Sequence, residues 1–160
     1  MSITLRIIDD ENRAECESLK VTDEQSQYIA GNADSLNEAV ENAGVARPFA
    51  IYSGDKMIGF TMFAFDEENE DPEDKYWLWR FMIDEKCQGR GYGRAALKEI
   101  IKYFEDEHAD IITLSTKESN LRALHLYHQA GFVENGQMND GEIVLKLDLT
   151  DCYEKQKVVK

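Results

Sequence analysis

The sequence has only three cysteines, Cys16, Cys87 and Cys152, far apart and without a CxxC spacing. An odd set of scattered thiols excludes a disulfide frame and a cysteine zinc site, and it fits a reducing compartment. No apolar run approaches the ~20 residues of a membrane span, and the opening MSITLRIIDDENR lacks a signal-peptide core. The expected location is therefore the cytoplasm, with no membrane partner. Positive charge is scarce as well: 18 Lys and Arg against 32 Asp and Glu leave a net charge of −14. Phosphate backbones are held by clustered Lys and Arg, so this balance argues against nucleic acid. It favours cationic partners, whose local concentration an acidic surface raises. Repeats and low-complexity linkers are absent too, and 160 residues suffice for one domain with one core.

What is present alternates in period. Ile3, Leu5 and Ile7 are separated by Thr4 and Arg6, the pattern of an opening strand. Asp10 or Asn12 can cap a helix running to about Leu19, and residues 21–43 read as helical but broken at Gly31. Apolar runs at 49–52 and 57–65 flank Ser53-Gly54-Asp55-Lys56, a hairpin signal. The acidic run DEENEDPEDK follows, with seven carboxylates, and then the aromatic strand YWLWRFMI at 76–83. Leu97, Ile100, Ile101 and Phe104 place apolar residues on one helical face. A short strand at 111–115 precedes Ser119 or Asn120 as a cap, and that helix ends at Gly131. Residues 132–138 and 142–149 flank Asn139-Asp140-Gly141, a second hairpin signal. The order β-α-α-β-β-β-α-β-α-β-β predicts a single α/β domain over 1–149, a mixed sheet with helices on both sides. Residues 150–160 read as a polar tail.

The stretch CQGRGYGRAAL, from Cys87 to Leu97, holds three glycines at a strand–helix junction. Glycine weakens regular structure, so such clustering needs a reason. A dinucleotide motif fits poorly, because Arg94 stands where a third glycine belongs and the loop follows the fourth strand, not the first. A GxxxxGK[ST] P-loop is absent. A tight packing turn remains, and so does a pyrophosphate cradle. In the cradle, backbone N–H groups of the loop and helix N-terminus meet phosphate oxygens, with Arg90 and Arg94 adding charge-assisted contacts.

Gln88-x-x-Gly91-x-Gly93 after an apolar strand, followed at a distance by Asn120-x-x-Ala123-x-x-x-Tyr127-x-x-x-Gly131-Phe132, resembles the GCN5-related N-acetyltransferase (GNAT) superfamily. The resemblance implies a mostly antiparallel sheet and acetyl-CoA as acetyl donor. It implies that the backbone of Phe81, Met82 and Ile83 pairs with the pantetheine arm, with an N–H near Met82 polarising the thioester carbonyl. Gln88, Gly89, Arg90, Gly91, Tyr92, Gly93 and Arg94 would hold the pyrophosphate. Asn120 would bond the cofactor arm, although its position alone equally suits a helix N-cap. Tyr127 would act as general acid toward the leaving thiolate. His125 and His128 could present two metal ligands on one helical face, but no third ligand supports them, so no metal site is expected. Family members are often homodimers, and no sequence patch identifies an interface.

The acceptor must be a neutral amine when it attacks, and a free primary amine has a pKa near ~10.4. Thirty-two acidic residues leave its base undetermined. Val21-Thr-Asp-Glu24-Gln25-Ser-Gln-Tyr28-Ile29, with Leu78-x-Arg80-Phe81-x-Ile83-Asp84, is similar to the bacterial spermine/spermidine acetyltransferase branch of the superfamily. Trp79 departs from that pattern. The resemblance implies a cationic polyamine as acceptor, attacking directly in a ternary complex. Glu24, Gln25 and Tyr28 would contact it, and Asp66 and Glu67 in the acidic run would anchor its charges. The rival expectations are a peptide or protein amine, a small amine antibiotic, or a coenzyme-A-binding module without catalysis.

Overall fold

The structure is a computed structural model describing residues 2–151 and 153. Strands β1 (Ile3–Ile7), β2 (Ala46–Ser53), β3 (Lys56–Phe65), β4 (Tyr76–Ile83), β5 (Ile111–Thr116), β6 (Val133–Asn139) and β7 (Glu142–Asp148) form one sheet, ordered β1-β2-β3-β4-β5-β7-β6. Helices α1 (Arg13–Ser18), α2 (Asn32–Glu41), α3 (Tyr92–Asp106) and α4 (Leu121–Gln129) connect them. Every strand pair is antiparallel except β4 with β5, so the expected mixed, mostly antiparallel sheet is what forms. Among the described residues no helix is long and apolar enough to cross a membrane.

Two differences from the sequence pattern have local causes. Residues 21–30 do not make the first half of a broken helix. They hold only a 3-10 turn, Gln25–Gln27, and α2 begins after Gly31 at its N-cap position. Asn12 occupies the N-cap position of α1 without capping it. Its side chain instead accepts from the Asp9 N–H and donates to the Ile7 carbonyl. The two hairpin signals both hold: Ser53 pairs Lys56 around Gly54-Asp55, and Asn139 pairs Glu142 around Asp140-Gly141. Of the expected polar tail, Tyr153 packs against the core and donates its hydroxyl to the Ala109 carbonyl at 2.8 Å. Cys152 and residues 154–160 lie outside the described residues.

β3 is the spine, because both of its faces are covered. Phe63 and Phe65 join Leu97, Ile100 and Phe104 of α3 and Leu124 of α4 on one face. Phe60 and Met62 join Cys16 of α1 and Leu36 of α2 on the other. Alternation along a strand sends successive side chains to opposite faces, which is why a continuous apolar run appears where only one face would alternate.

Its neighbour β4 carries the irregularity that positions the site, in its pairing with β3. The β3–β4 register runs Met62 to Arg80 and then Phe63 to Leu78, leaving Trp79 of β4 as an extra residue. Such a bulge bends its strand and leaves carbonyls to be satisfied otherwise. Here the Thr61 hydroxyl donates to the Arg80 carbonyl at 2.7 Å, and the Arg80 guanidinium donates to the Trp79 carbonyl at 3.0 Å. β4 then keeps register with β5 only at Trp77 and Thr113, whereas β5 continues along β7 as far as Thr116. Past that one pair the sheet is open on the β5 side of β4.

Gly59 of β3 lies tight against β4, since a Cβ placed there would run into the Met82 carbonyl. Gly59→Ala is expected to push the strands apart and destabilise the protein by ~1–3 kcal/mol, read as a fall in thermal midpoint.

Candidate active site

The opening between β4 and β5 leads into a cleft with two halves. One half, about 310 Å³, is lined by Met82 and Ile83 of β4, Gln88, Gly89, Gly91, Gly93 and Arg94 of the glycine loop and α3, and one face of α4. The other, about 480 Å³, is lined by Trp77 and Trp79 of β4, Leu114 to Thr116 of β5, and Asn139 and Glu142 of the β6–β7 hairpin. Tyr28, Ile29, Phe81, Asn120, Ala123 and Tyr127 line both and mark the boundary between them.

The glycine loop has the chemistry of an anion cradle. Gly89 and Gly91 sit at φ 78° and 82°, backbone that side-chain-bearing residues rarely adopt. From Gly89 to Arg94 no backbone N–H donates to any acceptor among the described residues. The last of these groups belong to the first turn of α3, a fifteen-residue helix whose dipole adds to the field. Gly93 is different: it lies within α3, and a Cβ there would make only ordinary contact with Leu126 and Ile83. Arg94 lines the cleft. Arg90 is exposed beside it without lining it, and Tyr92 packs against the Ile3, Ile51 and Cys87 cluster.

Gln88 is committed to holding the cleft together. It exchanges amide bonds with Gln25 at 2.8 and 3.0 Å, donates to the Ile83 carbonyl at 2.8 Å and accepts from Arg122 at 3.1 Å. One side chain thereby ties the 3-10 turn, the end of β4 and α4. Two further bonds fasten the same connecting segment over the opening: the Tyr28 hydroxyl donates to the Ser119 carbonyl at 3.3 Å, and Lys117 donates to the Gln27 carbonyl at 3.3 Å.

Asn120 stands at the N-cap position of α4 but makes no cap bond. Its amide donates to the Thr116 hydroxyl at 3.2 Å and it faces both halves of the cleft. Tyr127 packs edge-on to Phe132, and among the described residues its hydroxyl has no hydrogen-bond partner. Burial pushes its phenol well above the ordinary value, so it holds its proton throughout the physiological range.

The sequence-expected acceptor residues scatter. Tyr28 lines both halves of the cleft, and Gln25 lines the loop-side half while paired to Gln88. Glu24 is exposed and lines neither half. Asp66 and Glu67 also lie outside the lining, and Glu67 instead accepts from the Tyr76 hydroxyl at 3.2 Å with Lys75 nearby. Cys87 is buried in a core cluster and does not line the cleft. His125 lines the loop-side half, whereas His128 pairs with Glu134 at 3.0 Å. Sequence reasoning missed Trp77, Ser115, Arg122, Asn139 and Glu142. Only the hairpin signal beside Asn139 and Glu142 marked their position, and nothing in it indicated that the hairpin folds back onto the cleft.

A bulge-opened sheet thus carries, beside its gap, a glycine loop whose free N–H groups suit an anionic ligand. The acetyltransferase (GNAT) family matches residues 4–132, and the chain belongs to that family. It is an acetyl-CoA-dependent N-acetyltransferase. Spermine/spermidine N(1)-acetyltransferase of Bacillus subtilis strain 168 is 35% identical over 153 residues, covering 93% of this chain and all of the relative. Among solved structures, an aminoglycoside acetyltransferase with coenzyme A and kanamycin superposes with a TM-score of 0.76 at 20% identity, over 97% of this chain and 99% of the other. Spermidine N-acetyltransferase of Vibrio cholerae with coenzyme A and spermine gives 0.67 at 20%, over 90% and 92%. At that identity the structural likeness is one of fold.

Removing the Gln88 side chain in Gln88→Ala releases three elements at once. The expected result is a KM for acetyl-CoA raised ~10-fold or more, in line with the loss of several part-buried hydrogen bonds, measured by steady-state kinetics at saturating acceptor.

Proposed function

We propose that this chain acetylates a primary amine of a polyamine such as spermidine or spermine, the amine attacking directly in a ternary complex. The observation that carries the reading is the continuity of the cleft. The half with the free N–H groups and the half walled by Trp77 and Trp79 share Tyr127 at their boundary. The relative named for spermine and spermidine, matched along its whole length, supports the choice of acceptor. The fit to coenzyme A rests on Gly89 to Arg94, whose N–H groups and positive-φ glycines suit a pyrophosphate. Bound there, acetyl-CoA supplies an acetyl group activated as a thioester.

The remaining work falls to the chain. Phe81, Met82 and Ile83 flank the loop-side half and would align the donor arm along the open side of β4. Tyr127 keeps its phenolic proton at the boundary of the two halves, where it can donate to a departing thiolate. Aromatic walls exclude water and favour a cation with a methylene chain, through both apolar burial and attraction to the ring faces. Arg80 also lines this half, but Glu38 of α2 pairs with it at 2.8 Å and offsets its charge against an approaching ammonium. The net charge of −14 raises the local concentration of cations and disfavours nucleic acid. A cytoplasmic setting belongs to the same reading, supported by Cys16 and Cys87, both free and buried.

An acceptor panel with acetyl-CoA tests the proposal: turnover of spermidine and spermine is expected, and turnover of peptides or aminoglycosides alone would reject it. Tyr127→Phe is expected to lower kcat by ~10²-fold. Because the raised phenol pKa keeps Tyr127 protonated below pH ~10, the ratio of wild-type to variant kcat should stay flat across that range.

A further inference from the structure

Among the described residues, Glu142 is the only acid that lines either half of the cleft. It is the first residue of β7, opposite Asn139 across a two-residue turn in which Asp140 and Gly141 both have positive φ. That turn chemistry fixes where the side chain leaves the hairpin. The Ser115 hydroxyl donates to Oε1 at 2.8 Å, holding one carboxylate oxygen, while Oε2 has no partner among the described residues. No cationic side chain of the described residues pairs with it. Arg80, the cation of the same half, is taken by Glu38, and Lys146 on β7 is taken by Glu73 and Gln137. A carboxylate in a concave, aromatic-walled site with one oxygen fixed and no counter-charge is a receptor for a cation.

Its position assigns the cation. Glu142, Ser115, Asn139 and Trp77 line only the acceptor half, whereas Tyr127 lies on the boundary with the donor half. We infer that Glu142 anchors a second ammonium of the acceptor, the one that is not acetylated, while the reacting amine lies near Tyr127. This inference rests on the polyamine reading and deepens it: the enzyme selects acceptors with at least two positive charges, and Glu142 sets that selection. Ser115 is a positioning residue, acting through the carboxylate it holds.

Kinetics with spermidine and with a primary alkyl monoamine, on wild type and Glu142→Gln, test it. The expected result is a KM for spermidine raised ~10–100-fold, the range for one lost charged hydrogen bond, with kcat nearly unchanged and the monoamine parameters unmoved. Glu142→Asp, which keeps the charge, should recover part of the loss, and Ser115→Ala should show a smaller rise in the same parameter. Equal spermidine KM in wild type and Glu142→Gln overturns the anchor while leaving the polyamine reading intact. A fall in kcat for both acceptors at unchanged KM also overturns it, since that is the behaviour of a proton acceptor. A wild type that turns over no polyamine removes the substrate reading and the anchor together. Should Glu142→Gln lose its thermal transition, Glu142→Asp and Ser115→Ala decide the matter by the same KM comparison.

Discussion

The extra residue at Trp79 is the constraint on which the molecule depends. A seven-stranded sheet left to its own pairing would close β4 onto β5 along their length and bury the backbone groups that line the gap. The bulge turns β4 aside after one shared register position, and the carbonyls it displaces are taken by Thr61 and by the side chain of Arg80. Arg80 then reaches Glu38, so the irregular strand is also fastened to α2. Breaking the sheet in its middle is tolerable because β3 beside it is buried on both faces and keeps its partners. The opening is thus a built feature of the sheet.

Elements defined by local pattern were legible in the sequence. The strand YWLWRFMI has the bounds its composition suggests, and both Gly-containing turns close hairpins where Gly-Asp and Asp-Gly stand. The glycine loop was legible because positive φ leaves a residue-level trace, at Gly89 and Gly91. Gly93 leaves the same letter for another reason, since it is helical, and sequence alone gives the three equal weight.

The rest of the cleft was not legible because it is made by tertiary folding of segments with no periodic signal. Residues 21–30 carry helix-forming residues, yet they form an arch held by Gln88, Ser119 and Lys117, partners some 60 to 90 positions away. The acidic run drew attention by its density, but Asp66 and Glu67 lie outside both halves of the cleft, and the one lining carboxylate among the described residues comes from a hairpin that looked ordinary. Charge density along a chain reports solvation more readily than recognition. Asn120 shows the opposite error: a residue type and position that suit a cap, with its amide turned instead to Thr116.

Tyr28 and Ile29 belong to the walls of both halves of the cleft, and Gln25, three residues before, is paired to the glutamine beside the anion cradle. A ligand in either half therefore touches the same segment as its companion in the other half. By thermodynamic reciprocity any coupling carried through it is equal in both directions: whatever factor the donor contributes to acceptor affinity, the acceptor contributes to donor affinity. The arch is therefore a physical link between the two halves that does not run through the sheet.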